Sequence, residues 1–155
     1  MAVVQQAFAS RRRPGAEGSR VPVLKILIVE DEFISRALLM EMLAAHGVCH
    51  VAVNGREAID VLRRSMQSGG GYDLVCLDIM MPEMDGQEVL TEIRNMEREF
   101  GLSGRRATKV IMTTALTDSQ SIMKAFTEGC CEAYLTKPID RSKLQATLQD
   151  LNLIP

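Results

Sequence analysis

Residues 72–86 read YDLVCLDIMMPEMDG. Leu74, Val75, Cys76 and Leu77 form a short, unbroken apolar run, the length of a strand covered on both faces. The run ends on Asp78, and an acid closing so apolar a stretch is costly to bury unless it has a partner or a task. Met81-Pro82 begins a loop that lasts to Asp85-Gly86. Beyond it Val89, Leu90, Ile93 and Met96 recur at helical spacing and point inward as far as about Phe100.

The same strand-then-helix unit repeats on both sides. LKILIV (24–29) reads as a buried strand closed by three acids, Glu30, Asp31 and Glu32. Ile34, Ala37, Leu38, Met42 and Ala45 then fall at helical spacing between Phe33 and His46, with Gly47 as the stop. CHVAVN (49–54) is a weaker second strand, and GREAIDVLRRSM (55–66) a helix with Ala58, Ile59 and Leu62 on one face. Gly69-Gly70-Gly71 is a breaker and GLSGRR (101–106) a loop. KVIMTTA (109–115) and AYLTKP (133–138) supply the fourth and fifth strands. Between them, Ser119 to Glu128 reads as a helix. Asp140 caps a last helix that runs to Leu151. Five strands alternating with five helices imply right-handed βαβ units and a doubly wound parallel sheet with helices on both faces. In such sheets ligands collect beyond the carboxyl ends of the strands.

Composition agrees with a single α/β domain. The chain has 155 residues, 46% hydrophobic and 25% charged, which excludes a wholly disordered chain, a collagen-like one and a disulfide-stapled miniature. No apolar run reaches membrane-spanning length. The net charge of −2 gives no general attraction to nucleic acid or membrane. The first twenty residues hold four arginines against one glutamate, so residues 1–22 are expected to be a disordered basic tail. It lacks the order of a signal peptide. The four cysteines show no paired CxxC or histidine spacing, so zinc is not expected and free thiols in a reducing cytoplasm are. The ten methionines read as core filling.

Function is read at the strand ends. The first ends on Glu30 and Asp31, the third on Asp78, the fourth on Thr113-Thr114-Ala115, and the fifth on Lys137-Pro138. Taken singly, these are a solvated turn, a β-forming threonine and a surface turn. Taken in order, they bring carboxylates from different strands to one edge, which calls for a cation. A hard divalent ion with oxygen ligands fits, and Mg2+ tolerates a few carboxylates with several waters. A lysine and a hydroxyl at the same edge suit a phosphoryl group, and the central carboxylate can attack phosphorus to form an aspartyl phosphate.

On LIVEDE, LVCLDIMMPEMDG, VIMTTA and AYLTKP, residues 23–153 resemble the receiver domain of bacterial two-component response regulators, close to the single-domain chemotaxis type. The resemblance implies a three-layer flavodoxin-like sheet of order 2-1-3-4-5. It also implies that Asp78 is the phosphoacceptor, that Glu30 and Asp31 are the acid pair, and that Lys137 is the invariant lysine. Thr114 would be the switch hydroxyl beside Ala115, and Tyr134 the rotating aromatic. Mg2+ would be held by Asp31, Asp78 and the backbone carbonyl of Met80, with Glu30 acting through water. Thr113 rivals Thr114 for the switch role, since neighbours along a strand point to opposite faces. Pro82 and Gly86 would shape the loop beside the phosphoryl group.

The resemblance further implies a stand-alone cytoplasmic regulator, a monomer or weak dimer. It would be phosphorylated by a histidine kinase or histidine phosphotransfer protein and read by a downstream protein target, with no DNA and no membrane partner. It would be no enzyme beyond its own phosphorylation and dephosphorylation; a phosphorelay intermediate that passes the group on is the alternative.

Three features depart from the family pattern. Thr114 follows Asp78 by 36 residues, which suggests a lengthened third helix and loop. EGCCEAY is one residue longer than usual before Tyr134. Met80 and Leu116 stand where side chains influence water attack on the acyl phosphate, and neither orients a water, so slow self-dephosphorylation is expected. A haloacid-dehalogenase-like phosphatase needs a second acid where Met80 stands. A flavin-binding flavodoxin needs a phosphate loop where EDEFISR would repel phosphate. An unphosphorylated docking module would not need the full set of chemical residues present.

Overall fold

The computed structural model describes residues 23–115 and 131–155. The expected basic tail, the helix expected at 119–128, Leu116 and Cys130 lie outside the described residues. The strands are β1 (Leu24–Val29), β2 (Gly47–Ala52), β3 (Leu74–Asp78), β4 (Lys109–Thr114) and β5 (Ala133–Thr136). The described helices are α1 (Phe33–Leu43), α2 (Gly55–Gln67), α3 (Gly86–Glu99) and α4 (Arg141–Asp150); α4 is the helix expected as the fifth. All neighbouring strands pair in parallel, as the alternation implies, and in the order β2-β1-β3-β4-β5 that the family resemblance implies. No described helix is long and apolar enough to cross a membrane.

Alternation along the strands sorts the core into two clusters, one on each face of the sheet. Leu27, Val29, Val75, Leu77, Val110 and Met112 pack with α2 and α3. Ile26, Ile28, Leu74, Cys76, Ile111 and Leu135 pack with α1 and α4. Each helix start is capped by the side chain before it: Glu32, Asn54, Asp85 and Asp140 accept backbone N–H groups from the first turns of α1 to α4. Asp140 is the cap expected for the last helix.

The boundary expected at Gly47 needs correction. Helix α1 ends at Leu43, and Gly47 opens β2 rather than stopping the helix. A Cβ there would stand 2.1 Å from the Leu24 carbonyl oxygen, so this glycine permits β2 to lie against β1. The face of α1 is the second correction. The helix buries Leu39 and Leu43, whereas Ile34 and Leu38 from the regular apolar series are exposed. The helix carries apolar residues on both sides, so periodicity alone points at the wrong one.

Beyond α3, a compact ion network joins this helix to the starts of β4 and β5. Arg94 donates to Glu97 at 2.8 Å, to the Thr108 carbonyl at 3.0 Å, and to both carboxylate oxygens of Glu132 at 3.0 and 3.1 Å. Glu97 accepts the Thr108 N–H and Glu132 the Val110 N–H. One guanidinium thus ties α3 to the starts of β4 and β5. Removing one partner from a buried network leaves charges without compensation. Arg94→Ala is therefore expected to lower unfolding free energy by about 3 kcal/mol, read by urea denaturation; a loss below about 1 kcal/mol would mean the network is dispensable.

Candidate functional site

Beyond the carboxyl ends of β1, β3 and β5, four charged side chains converge. Carboxylate oxygens of Glu30, Asp31 and Asp78 lie within 4.8 Å of one another. Lys137 Nζ stands 2.7 Å from Glu30 Oε2 and 3.3 Å from Asp78 Oδ2. Glu30 is 0% and Asp78 3% exposed, while Asp31 faces solvent. The site is thus a buried pair of acids, one mobile-stemmed cation, and one acid at the mouth.

Backbone geometry fixes each acid. Asp78 ends β3; its Oδ1 accepts the Met80 N–H at 3.1 Å. Glu30 follows β1; its Oε1 accepts the Glu32 N–H at 3.1 Å. Gly86 begins α3 with its N–H donated to the Ile79 carbonyl at 2.9 Å. A Cβ there would stand 2.2 Å from the Asp78 carbonyl oxygen, so only glycine lets α3 close against the strand end. The loop glycine expected from the sequence is therefore a close-approach residue. Pro82 lies exposed in that loop.

The electrostatics follow from burial. Asp78 is pushed up to about 7, first by loss of water and then by the Glu30 charge, against the pull of Lys137 and the Met80 N–H. Burial opposes the Lys137 ammonium, but its hydrogen bond to Glu30 and the charges of Asp78 and Glu30 outweigh that, holding it above the usual lysine range. Two buried acids against one lysine leave negative charge to be met. The donor set, carboxylate oxygens from two strand ends with an exposed third at the mouth, fits a hard divalent cation.

The structure brings Glu30, Asp31, Asp78 and Lys137 together at one edge of the sheet. Met80 adjoins Asp78 with its side chain exposed. Thr113 is the Cα partner of Asp78, and Thr114 that of Thr136. Thr114 donates its hydroxyl to the Ala115 carbonyl at 3.2 Å. The site lies past the strand ends, so alternation alone does not decide between the two threonines. Tyr134 pairs with Met112 and is 42% exposed.

Two groups at the site escape sequence reasoning. Arg36 donates to the carbonyls of Glu30 and Asp31 at 3.0 and 3.2 Å, fastening the backbone of the acid pair. Its position one turn into a helix carries no sequence signal. The second is a patch on α1: Phe33 at 71%, Ile34 and Leu38 are exposed.

The family model described as response regulator receiver domain matches residues 26–149. Hybrid signal transduction histidine kinase L of Dictyostelium discoideum is 34% identical over 81% of this chain, which spans only 7% of that protein. Among solved structures, the receiver domain of Ssk1, crystallised with the histidine phosphotransfer signaling protein Ypd1 of Saccharomyces cerevisiae, matches with a TM-score of 0.70. That match has 29% identity and covers 83% of this chain and 88% of that one. The receiver domain of a sensor histidine kinase from Pseudomonas aeruginosa, with a magnesium ion coordinated in its active site cleft, matches with a TM-score of 0.67. Its identity is 27%, covering 83% of this chain and 97% of that one.

Proposed function

The chain belongs to the response regulator receiver family, and we propose from that premise that it accepts a phosphoryl group on Asp78 from a phosphohistidine donor and thereby switches a protein-binding face. The observation that carries this reading is the convergence of Glu30, Asp31, Asp78 and Lys137 at one sheet edge. The P–N bond of the donor breaks as an Asp78 oxygen bonds to phosphorus, and the electron pair leaves with the imidazole nitrogen. Lys137 neutralises charge on the phosphoryl oxygens. Asp31, Asp78 and the Met80 carbonyl would hold Mg2+, with Glu30 acting through water, in keeping with both Glu30 oxygens being engaged already. When bound, the ion supplies charge neutralisation to the transferring group.

Thr114 is the switch hydroxyl in this reading. It exchanges its 3.2 Å bond to the Ala115 carbonyl for a phosphoryl oxygen, which the Ala115 N–H also meets. Tyr134 then turns inward from its exposed place on β5, and the face that includes β5 and α4 is what a protein target reads. The donor docks over the mouth of the site beside α1, whose Phe33, Ile34 and Leu38 are exposed apolar residues of the kind that marks protein contacts. A phosphotransfer protein as that donor is supported by the likeness to the Ssk1 receiver crystallised with Ypd1. A reducing cytoplasm suits the thiols of Cys49 and Cys76.

The test is nuclear magnetic resonance of the protein with Mg2+ and beryllofluoride or acetyl phosphate. Shifts at Thr114, Tyr134 and Lys137 are expected; an unchanged spectrum contradicts the reading. Met80, exposed and unable to orient a water, predicts a phosphoryl lifetime of minutes or longer, measured by decay of labelled protein. Decay within seconds would overturn that expectation.

A further inference from the structure

Among the described residues, Thr113 carries a buried hydroxyl with no hydrogen-bond partner. Its neighbours do not share that condition: the Thr108 hydroxyl donates to the Tyr72 carbonyl and that of Thr114 to the Ala115 carbonyl. Thr113 is 1% exposed, so water does not serve it freely. A buried polar group left unpaired is costly, and valine has the same shape without the cost. An unpaired hydroxyl here calls for a reason.

Its place supplies one. Thr113 is the Cα partner of Asp78 in the β3–β4 ladder, on strands about 4.8 Å apart. Its carbonyl accepts the Ile79 N–H at 3.0 Å, tying it to the residue after Asp78. Ile111 and Cys76, two positions before each partner, belong to one core cluster. Side chains two apart on a strand share a face, so Thr113 and Asp78 leave the sheet on the same side, whereas Thr114 follows Val110 and Met112 on the other.

We infer that Thr113 is a positioning residue for phosphoryl acceptance, its hydroxyl a donor held beside Asp78 that hydrogen-bonds the Asp78 carboxyl group as phosphoryl transfer proceeds. The inference rests on Asp78 being the phosphoacceptor. It assigns the two adjacent threonines separate tasks: Thr113 orients the nucleophile, and Thr114 senses the product.

The experiment is phosphorylation of the full chain by phosphoramidate with Mg2+, alongside thermal unfolding of the unphosphorylated protein. Thr113→Val is expected to melt higher than wild type yet accept phosphoryl about tenfold more slowly, the value of one hydrogen bond to a charged group. Thr113→Ser, which keeps the hydroxyl, should return the rate to within about threefold of wild type. A merely structural role would move the melting point and leave the rate alone. If Thr113→Val does not fold, the same comparison is made between Thr113→Ala and Thr113→Ser. Wild-type rate in the hydroxyl-free variant, or equal slowing in Thr113→Ser, overturns the inference while leaving Asp78 as acceptor. Uptake by Asp78→Asn would overturn both.

Discussion

Asp78→Asn is expected to abolish phosphoryl uptake and, in the absence of Mg2+ at pH 8, to raise the melting temperature. The carboxyl sits 3% exposed beside the buried Glu30, and burial together with the Glu30 charge pushes it up to about 7 from 3.8. A carboxyl whose folded value lies above its unfolded one contributes stability when protonated. That contribution is full below about pH 4, is lost as pH rises through about 7, and leaves a buried charge above it. Three pH units correspond to about 4 kcal/mol at most, and relaxation of the site leaves about half. Asparagine has the same shape and no charge, so a rise of about 6 °C is expected at this size. The measurement is thermal unfolding at pH 5 and pH 8 with and without Mg2+. The mutant's advantage should shrink at pH 5. A mutant less stable than wild type at pH 8 would contradict the electrostatic account of the site.

Removing the lysine should do the opposite. Lys137 is the cation that the structure gives both buried acids, at 2.7 Å from Glu30 and 3.3 Å from Asp78. Without it, two carboxylates face each other in a water-poor site. Breaking a buried pair by deleting one partner costs about 3–5 kcal/mol, so Lys137→Ala should lose much of a stability that is itself only about 5–15 kcal/mol. The loss should be steep in pH, because Asp78, already pushed up to about 7, loses the lysine's opposing pull. Protonating Asp78 at pH 5 recovers much of the stability, and raising pH to 8 removes it. Saturating Mg2+ should also recover part, since a ligand that binds only the folded form stabilises it. Urea unfolding at both pH values, with and without Mg2+, measures this. A pH-independent loss would mean that Lys137 acts through packing rather than charge. Combining it with Asp78→Asn should cost less than the sum of the two, as expected for contacting groups.

The parts of the fold legible in the sequence were those written locally. LVCLD announced β3, because a run apolar on both faces has few other places to go, and Asp78 announced the site, because nothing in that run compensates it. The acid pair after β1 and Lys137 after β5 became a site only through topology, which the alternation of strands and helices supplied. What escaped was written across the chain. Arg94 meets Glu132 from 38 positions away, and no local pattern carries that. Gly47 looked like a helix stop because glycine commonly is one; its reason lies in the carbonyl of Leu24 on the adjacent strand. Helix α1 misled because it is apolar on both sides, and its exposed apolar residues Ile34 and Leu38 share the helical period of the buried ones. The choice between Thr113 and Thr114 was open because strand alternation gives opposite faces, while a site beyond the strand ends is not tied to either face.

The most direct measurement is the position of the phosphoryl group. The protein is incubated with acetyl phosphate and Mg2+, the acyl phosphate is trapped by borohydride reduction, and the modified residue is found by peptide mapping. Modification at Asp78 alone, and none when Mg2+ is chelated, is the predicted result. Modification elsewhere, or phosphoryl uptake that leaves Asp78 unmodified, would contradict the account.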